Sequence, residues 1–296
     1  MLFFNKIRPS SKMKHDIEIQ QDKYPNLKPI KLYNLSLIKP IQKKILDLRI
    51  KNAHINIVRD QRKMTLIVPY RHREEHLQIF IPTMEKYLTT KGIDYEILII
   101  EQTDKKPFNR AKLLNIGVLH ARKESEYFVF HDVDFLPENI DYTYCNYPLK
   151  PLKYVFENNH YREYGETILG GVTMIPKNIF LAINGYSNNY WQWGKEDDDL
   201  MMRLLFKGYI PFYDQEGKFK LLPHPPSLTR NTDGEYVGDK KILQENKNLY
   251  KKNKATFSNF KRGLTSQFDD GLNTLNDYTV NSLITKDKVI TINVDI

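Results

Sequence analysis

Three apolar runs separated by helical stripes restrict this chain to an α/β architecture. Thr65-Leu66-Ile67-Val68 is stopped by Pro69. Tyr95-Glu96-Ile97-Leu98-Ile99-Ile100 is almost unbroken, and Tyr127-Phe128-Val129-Phe130 runs into His131-Asp132-Val133-Asp134. Apolar runs without polar alternation suit strands covered on both faces, the condition of a parallel sheet. Between them, Glu74 to Tyr87 reads as a helix. So does Arg110 to Arg122, from its stripe of Leu113, Leu114, Gly117, Val118 and Ala121. Strand, helix, strand, helix, strand is half of a doubly wound sheet. Such sheets bind ligands beyond the carboxyl ends of their strands, where Arg71, Glu101 and Asp134 all fall.

The remaining segments are less regular. Residues 1–30 are polar, Lys-rich and punctuated by Pro9, Pro25 and Pro29, and read as a poorly ordered arm. Pro40 to Ile50 has helical spacing at Ile41, Ile45 and Leu48. Ile168 to Ile175 reads as a strand with Gly170-Gly171 allowing close backbone approach. Lys177 to Ile183 reads as a short helix, and Glu196 to Lys207 as a helix with acids in its first turn. Thr232 to Asn259, rich in Lys and Asn, reads as an insertion or mobile loop. A formal charge of +9 suits a phosphorylated substrate, but no nucleic-acid recognition motif accompanies it. The single cysteine, Cys145, allows no intrachain disulfide, and no apolar run approaches the ~20 residues of a membrane span. Met1-Leu2-Phe3-Phe4 is too short for a signal-peptide core. The expectation is a cytoplasmic protein in a reducing compartment without a membrane span.

Two acidic clusters stand out. Asp132-Val133-Asp134 closes a strand, so its carboxylates leave on one side. Hard cations such as Mg²⁺ or Mn²⁺ take such ligands and leave positions open for phosphate, although a solvated turn also explains a lone D-x-D. Glu196-Asp197-Asp198-Asp199 follows Trp191-Gln192-Trp193-Gly194-Lys195, an arrangement that sets four like charges beside a tryptophan pair. Arg71, Arg73 and Arg110 supply guanidinium groups suited to phosphate oxygens, and Arg110 opens a helix. His224, in Pro223-His224-Pro225-Pro226, is the candidate second metal ligand in the C-terminal half.

These motifs, in this order, resemble the β-1,4-galactosyltransferases, inverting enzymes that use a UDP-sugar. The matching stretches are Val68-Pro69-Tyr70-Arg71-His72-Arg73, Phe108 to Gly117, Phe128 to Asp134, Gly170-Gly171-Val172, Asn184-Gly185, Asn189 to Asp199, Asp270-Gly271-Leu272-Asn273 and Ile290 to Ile296. The resemblance runs from about Met64 to the C-terminus. It implies a nucleotide-diphospho-sugar transferase (GT-A-like) domain of the α/β class with a mostly parallel central sheet over 61–296. Residues 1–60 would be an N-terminal arm and helical segment. It implies Pro69, Arg71, Arg73, Phe108, Arg110, Asp132, Val133, Ile168, Trp193 and Gly194 as donor-binding residues. Asp197 would be the base, and Glu196, Asp198, Phe257 and Phe260 would bind the acceptor. Asp134 and His224 would hold Mn²⁺. UDP-Gal or UDP-GalNAc would be the donor, and a glycan or glycoconjugate the acceptor.

The departures are equally specific. Leu221 and Pro226 occupy places where members of the family supply a further metal ligand. Tyr127 stands opposite Cys145 where secreted members have a cystine. Lys195 replaces a common second Gly, and about twenty extra residues separate His224 from Phe257. The usual N-terminal membrane anchor is not seen. The implied activity is metal-dependent transfer of galactose or N-acetylgalactosamine to a sugar hydroxyl, forming a β-1,4 linkage. A catalytically impaired sugar- or nucleotide-binding protein on the same fold is the alternative.

Overall fold

In the computed structural model the strand Met64–Tyr70 (β3) is buried at all seven residues, as its lack of alternation requires. The described residues are 24–29, 56–155, 161–163, 169–223, 229–230, 236–237, 240–261 and 268–296. Strands Tyr95–Gln102 (β4) and Tyr127–His131 (β5) flank β3, both parallel to it. Helices Glu74–Thr90 (α1) and Arg110–His120 (α2) make the crossovers. Gly117 lets α2 approach β3 closely, because a Cβ there would stand 2.3 Å from Ile67 Cγ2. Val289–Asp295 (β15) adds a further parallel strand beyond β4, and Thr279–Lys286 (β14) closes that edge antiparallel.

On the other flank the sheet turns mixed. Val172–Pro176 (β10) pairs with β5 in the register Val172↔His131, so the chain just before it lies beside the end of β5. Leu149–Val155 (β8) and Phe212–Leu221 (β11) extend the sheet, giving the order β11-β8-β10-β5-β3-β4-β15-β14. Phe135–Asn139 (β6) pairs with β11, and Tyr161–Glu163 (β9) with β8. On this flank β11 runs parallel to β8, and the remaining pairs are antiparallel. The expected mostly parallel centre is therefore present, carried by β5, β3, β4 and β15. Small ribbons pair Arg59–Asp60 (β2) with Tyr144–Cys145 (β7), and Thr229–Arg230 (β12) with Tyr236–Val237 (β13). The shorter helices are Lys177–Ala182 (α3) and Glu196–Phe206 (α4).

Three local readings change. Leu27–Pro29 (β1), inside the expected arm, pairs antiparallel with β11, and Leu27 is 1% exposed. Burial of that leucine and the ladder bonds tie down a segment whose composition alone suggested none. The strand near Gly170 starts only at Val172. Most of the expected loop 232–259 lies in a long helix, Lys240–Lys261 (α5), packed on α4. Its apolar and amide residues face Tyr190 and Met202, while its lysines dominated the sequence reading. The helix expected at 40–50 lies outside the described residues. No helix among the described residues is long and apolar enough to cross a membrane.

Candidate active site

The carboxyl edge of the parallel strands gathers the polar motif residues. Pro69 and Tyr70 end β3 buried, and Arg71 and Arg73 follow on the way into α1. Arg71 donates from Nη1 to Lys106 O at 2.7 Å, and its guanidinium stands 5.3 Å from the centroid of the Phe108 ring. The Arg73 backbone N–H donates to Tyr70 Oη at 3.2 Å. Asn109 caps α2, accepting from Lys112 N at 2.9 Å, and donates from Nδ2 to Asn188 O at 2.7 Å. The cap thus ties the helix that carries Arg110 to the loop ahead of the tryptophans.

Arg110 joins the two acidic motifs. Its Nε donates to Asp132 Oδ1 at 2.7 Å and its Nη1 to Asp197 Oδ1 at 3.4 Å, while Nη2 reaches Gly171 O at 3.5 Å. Carboxylates far apart in sequence thereby share one nearly buried guanidinium. His131, buried, bonds the Asp132 carbonyl through Nδ1 at 2.8 Å and Tyr142 Oη through Nε2 at 2.9 Å. A carbonyl can only accept, so Nδ1 carries the proton and Nε2 accepts from the tyrosine. Burial pushes the His131 imidazole down to about 4, so it stays neutral and holds the Asp132 backbone.

The first turn of α4 separates its four acids by direction, since successive helical residues diverge by about 100°. Asp199 points inward, its side chain 1% exposed, and accepts from Arg203 Nε at 2.6 Å, Asn253 Nδ2 at 2.9 Å and Tyr190 Oη at 3.2 Å. Arg203 also donates to Asp270 Oδ1 at 2.7 Å. Asp198 accepts from Lys195 Nζ at 2.6 Å. Asp197 keeps 21% of its side chain exposed and faces Arg110. Glu196 is buried, and no hydrogen-bond partner meets its Oε2 among the described residues. Burial, and then the neighbouring Asp197 charge, push its carboxyl up to about 8. Burial also raises Asp132, against the opposing pull of Arg110.

Residues 29–146 match the model for the N-terminal region of glycosyl transferase group 7, and residues 150–225 that for the N-terminal domain of galactosyltransferase. β-1,4-galactosyltransferase 4 of Mus musculus is 40% identical over 195 residues, covering 64% of this chain and 56% of the mouse protein. The chain belongs to the β-1,4-galactosyltransferase family. Within that family, β-1,4-galactosyltransferase 1 of Bos taurus is 40% identical over 149 residues, 49% of this chain and 37% of the bovine one. The chain matches about half the length of such curated relatives. The catalytic domain of Drosophila β-1,4-galactosyltransferase 7, solved with xylobiose, superposes with a TM-score of 0.61 at 26% identity, covering 79% of this chain and 94% of that one. The family match begins at residue 29, ahead of the Met64 start that the motifs suggest.

The other residues expected of a galactosyltransferase site fall as follows. Val133 is buried in the turn after β5, and Asp134 is half-buried in the same turn. Leu222 N–H donates to Asp134 O at 2.8 Å, which brings the chain leading into His224 against the acidic motif. His76 on α1 bonds Pro223 O at 3.0 Å. A hard carboxylate in this turn suits a divalent cation whose remaining positions stay open. Leu221 is buried and apolar, so it adds no donor. Among the described residues no three His, Cys, Asp or Glu side chains converge on such a point. His224 and Ile168 lie outside the described residues. Phe257 and Phe260 fall in the last turns of α5, with side chains outside the described part. Trp193 is 51% exposed, and Gly194 has φ +108°.

Two residues at the site carry no motif signal. Lys150 on β8 is buried and donates to Gly170 O, beside the Gly171 carbonyl that meets Arg110. Burial pushes its ammonium down to about 7. Asn246 on α5 is buried against the tryptophan loop. A lysine in a Pro-Leu-Lys-Pro run and an asparagine in a Lys/Asn-rich run give no local hint of burial.

Proposed function

We propose that this chain is an inverting, metal-dependent transferase. It moves galactose or N-acetylgalactosamine from a UDP-sugar to a sugar hydroxyl and forms a β-1,4 linkage. The observation that carries the reading is the position of Arg110 between Asp132 and Asp197. It sets the acidic turn after β5 and the first turn of α4 around one cation, at the sheet edge where α/β proteins take ligands. A mutant of the Drosophila relative has been solved with manganese, UDP-Gal and xylobiose, at 25% identity and a TM-score of 0.60.

In this reading Arg71 and Phe108 form one wall of the nucleotide pocket with Pro69 and Arg73. Asp132 and Val133 line the sugar-nucleotide path. Asp134 and His224 hold Mn²⁺, which when bound neutralises charge on the departing diphosphate. Asp197 takes the proton from the acceptor hydroxyl as that oxygen attacks the anomeric carbon. The bond from that carbon to the diphosphate oxygen breaks in the same displacement, so the configuration inverts. Arg110 sets its guanidinium between the Asp197 and Asp132 carboxylates and offsets their mutual repulsion. Glu196, protonated near neutral pH, can donate to a sugar oxygen. Asp198 and the two phenylalanines complete the acceptor side. By resemblance, Ile168 stands where galactose-using members of the family typically have a tyrosine whose hydroxyl hinders an N-acetyl group, and a smaller aliphatic residue at that place supports use of UDP-GalNAc.

Release of UDP, screened over UDP-sugars and sugar acceptors with Mn²⁺, tests the proposal. Transfer from UDP-Gal or UDP-GalNAc supports it. Binding of UDP without turnover on any acceptor would favour an impaired binding protein instead.

A further inference from the structure

The loop Trp191–Lys195 is held in a conformation that its own residues do not favour. Gln192, Gly194 and Lys195 have φ of +54°, +108° and +82°. Two of these are non-glycine residues in the left-handed region, which carries an energetic penalty. Such a loop keeps one position only if outside contacts over-determine it. On one side Gln192 N–H donates to Phe108 O at 2.6 Å. On the other side stands α5, whose Asn246 is 2% exposed. Asn246 Nδ2 donates to Trp191 O at 2.8 Å and to Trp193 O at 3.4 Å, and its Oδ1 accepts from Trp191 N at 3.4 Å. One side-chain amide therefore reads the loop backbone at both tryptophans.

Neighbouring positions on the same helix face reinforce the contact. A Cβ on Gly194 would sit 3.4 Å from Leu243 Cδ1, so Leu243 already lies against the loop. Lys195 places its ammonium 5.4 Å from the centroid of the Tyr250 ring, and Asn253 Nδ2 meets Asp199 at the base of α4. Asn246, Tyr250 and Asn253 are one turn apart on α5, and all three face the loop or the acids that follow it. They belong to the stretch between His224 and Phe257 that is longer here than the family pattern.

We propose that α5 is a clasp and that Asn246 is the positioning residue through which it sets the Trp191–Lys195 loop for donor capture. The amide pairs with part-buried backbone groups at both tryptophans, and it holds the strained turn that presents Trp193. Without it the loop samples other conformations, and the donor must order the loop as it binds. That burden falls on KM more than on kcat. The proposal rests on the transferase reading only for what the loop captures.

The two tryptophans of the chain both lie in this loop, so tryptophan fluorescence, excited selectively, reports on it alone. The test uses the full chain with Trp191→Phe, which leaves Trp193 as the single reporter and keeps the backbone groups that Asn246 binds. Asn246→Ala should raise acrylamide quenching of Trp193 and lower its anisotropy in the absence of any nucleotide. In the otherwise unmodified chain, the same substitution should raise KM for the UDP-sugar about three- to tenfold, with a smaller change in kcat. Asn246→Asp keeps the size of the side chain and loses both donated bonds, so it should act in the same direction. It carries the test should the alanine variant melt below the assay temperature. Wild-type quenching and anisotropy in a folded variant would overturn the clasp. A freed Trp193 with unchanged KM would overturn it equally. If the unmodified chain turns over no UDP-sugar while Asn246→Ala still frees Trp193, the transferase reading fails and the positioning of the loop stands.

Discussion

Asp197 and Asp199 differ by two positions in one acidic run, and their substitution should separate stability from chemistry. Asp199→Asn removes the charge from a carboxylate that is 1% exposed and meets Arg203, Asn253 and Tyr190. Breaking one partner of a buried ion pair costs about 3–5 kcal/mol, and the lower end applies because the amide can still accept and Arg203 keeps Asp270. At about 2–4 °C per kcal/mol, about 3 kcal/mol lowers Tm by roughly 6–12 °C. Asp197→Asn acts on a carboxylate with 21% exposure, whose partner Arg110 retains Asp132 at 2.7 Å. Its Tm should move by no more than about 2 °C, because part-exposed pairs add little. Its kcat should fall at least about a hundredfold, the range for a lost proton acceptor. Thermal melts by circular dichroism, run beside UDP-release kinetics, give both numbers. A stable Asp199→Asn, or an Asp197→Asn with near-native turnover, would refute the division of roles.

Asp134→Ala and His224→Ala should each abolish Mn²⁺ binding read by electron paramagnetic resonance, and full activity in excess EDTA would remove the metal from the proposal. Glu196 has a folded-state carboxyl raised to about 8 from its ordinary value of 4.5, so between those values the native state binds a proton that the unfolded chain does not. Its contribution to stability is present at low pH and is lost as pH rises towards about 8. Glu196→Gln should therefore show a smaller fall in Tm across that window, and an unchanged slope would contradict the assignment. Ile168→Tyr should shift kcat/KM from UDP-GalNAc towards UDP-Gal, and an unchanged strong preference for UDP-Gal would sink the donor argument.

The sheet's centre was legible in the sequence because β3, β4 and β5 are buried on both faces, and two-sided burial leaves a run of apolar residues that no loop tolerates. The ends of those strands were legible for the same reason, and with them the edge where Arg71, Arg110 and Asp132 gather. Helix α4 was legible from its acids, since the N-terminal dipole favours them. What each acid does was not. Lys195 and Arg203 lie within a turn of the acids they meet, but which acid faces inward and which meets Arg110 depends on what packs around the helix, and Arg110 and Asp270 come from distant parts of the chain. The segment 232–259 shows the same limit from the other side. Its lysines and asparagines suggested a solvated loop, because composition counts residues without regard to face. Only packing against Tyr190 and Met202 reveals that Asn246, Tyr250 and Asn253 share the inner face of α5 and that the lysines can stay in water. Lys150 is hidden for a related reason: its burial depends on β8 lying between β10 and β11, a neighbourhood created by strand order and absent from local sequence. Local periodicity thus determined the central strands and their crossover helices. Only the tertiary structure decided which charges meet, because opposite charges far apart in sequence pair only where the fold sets them within a few ångströms in a dry site.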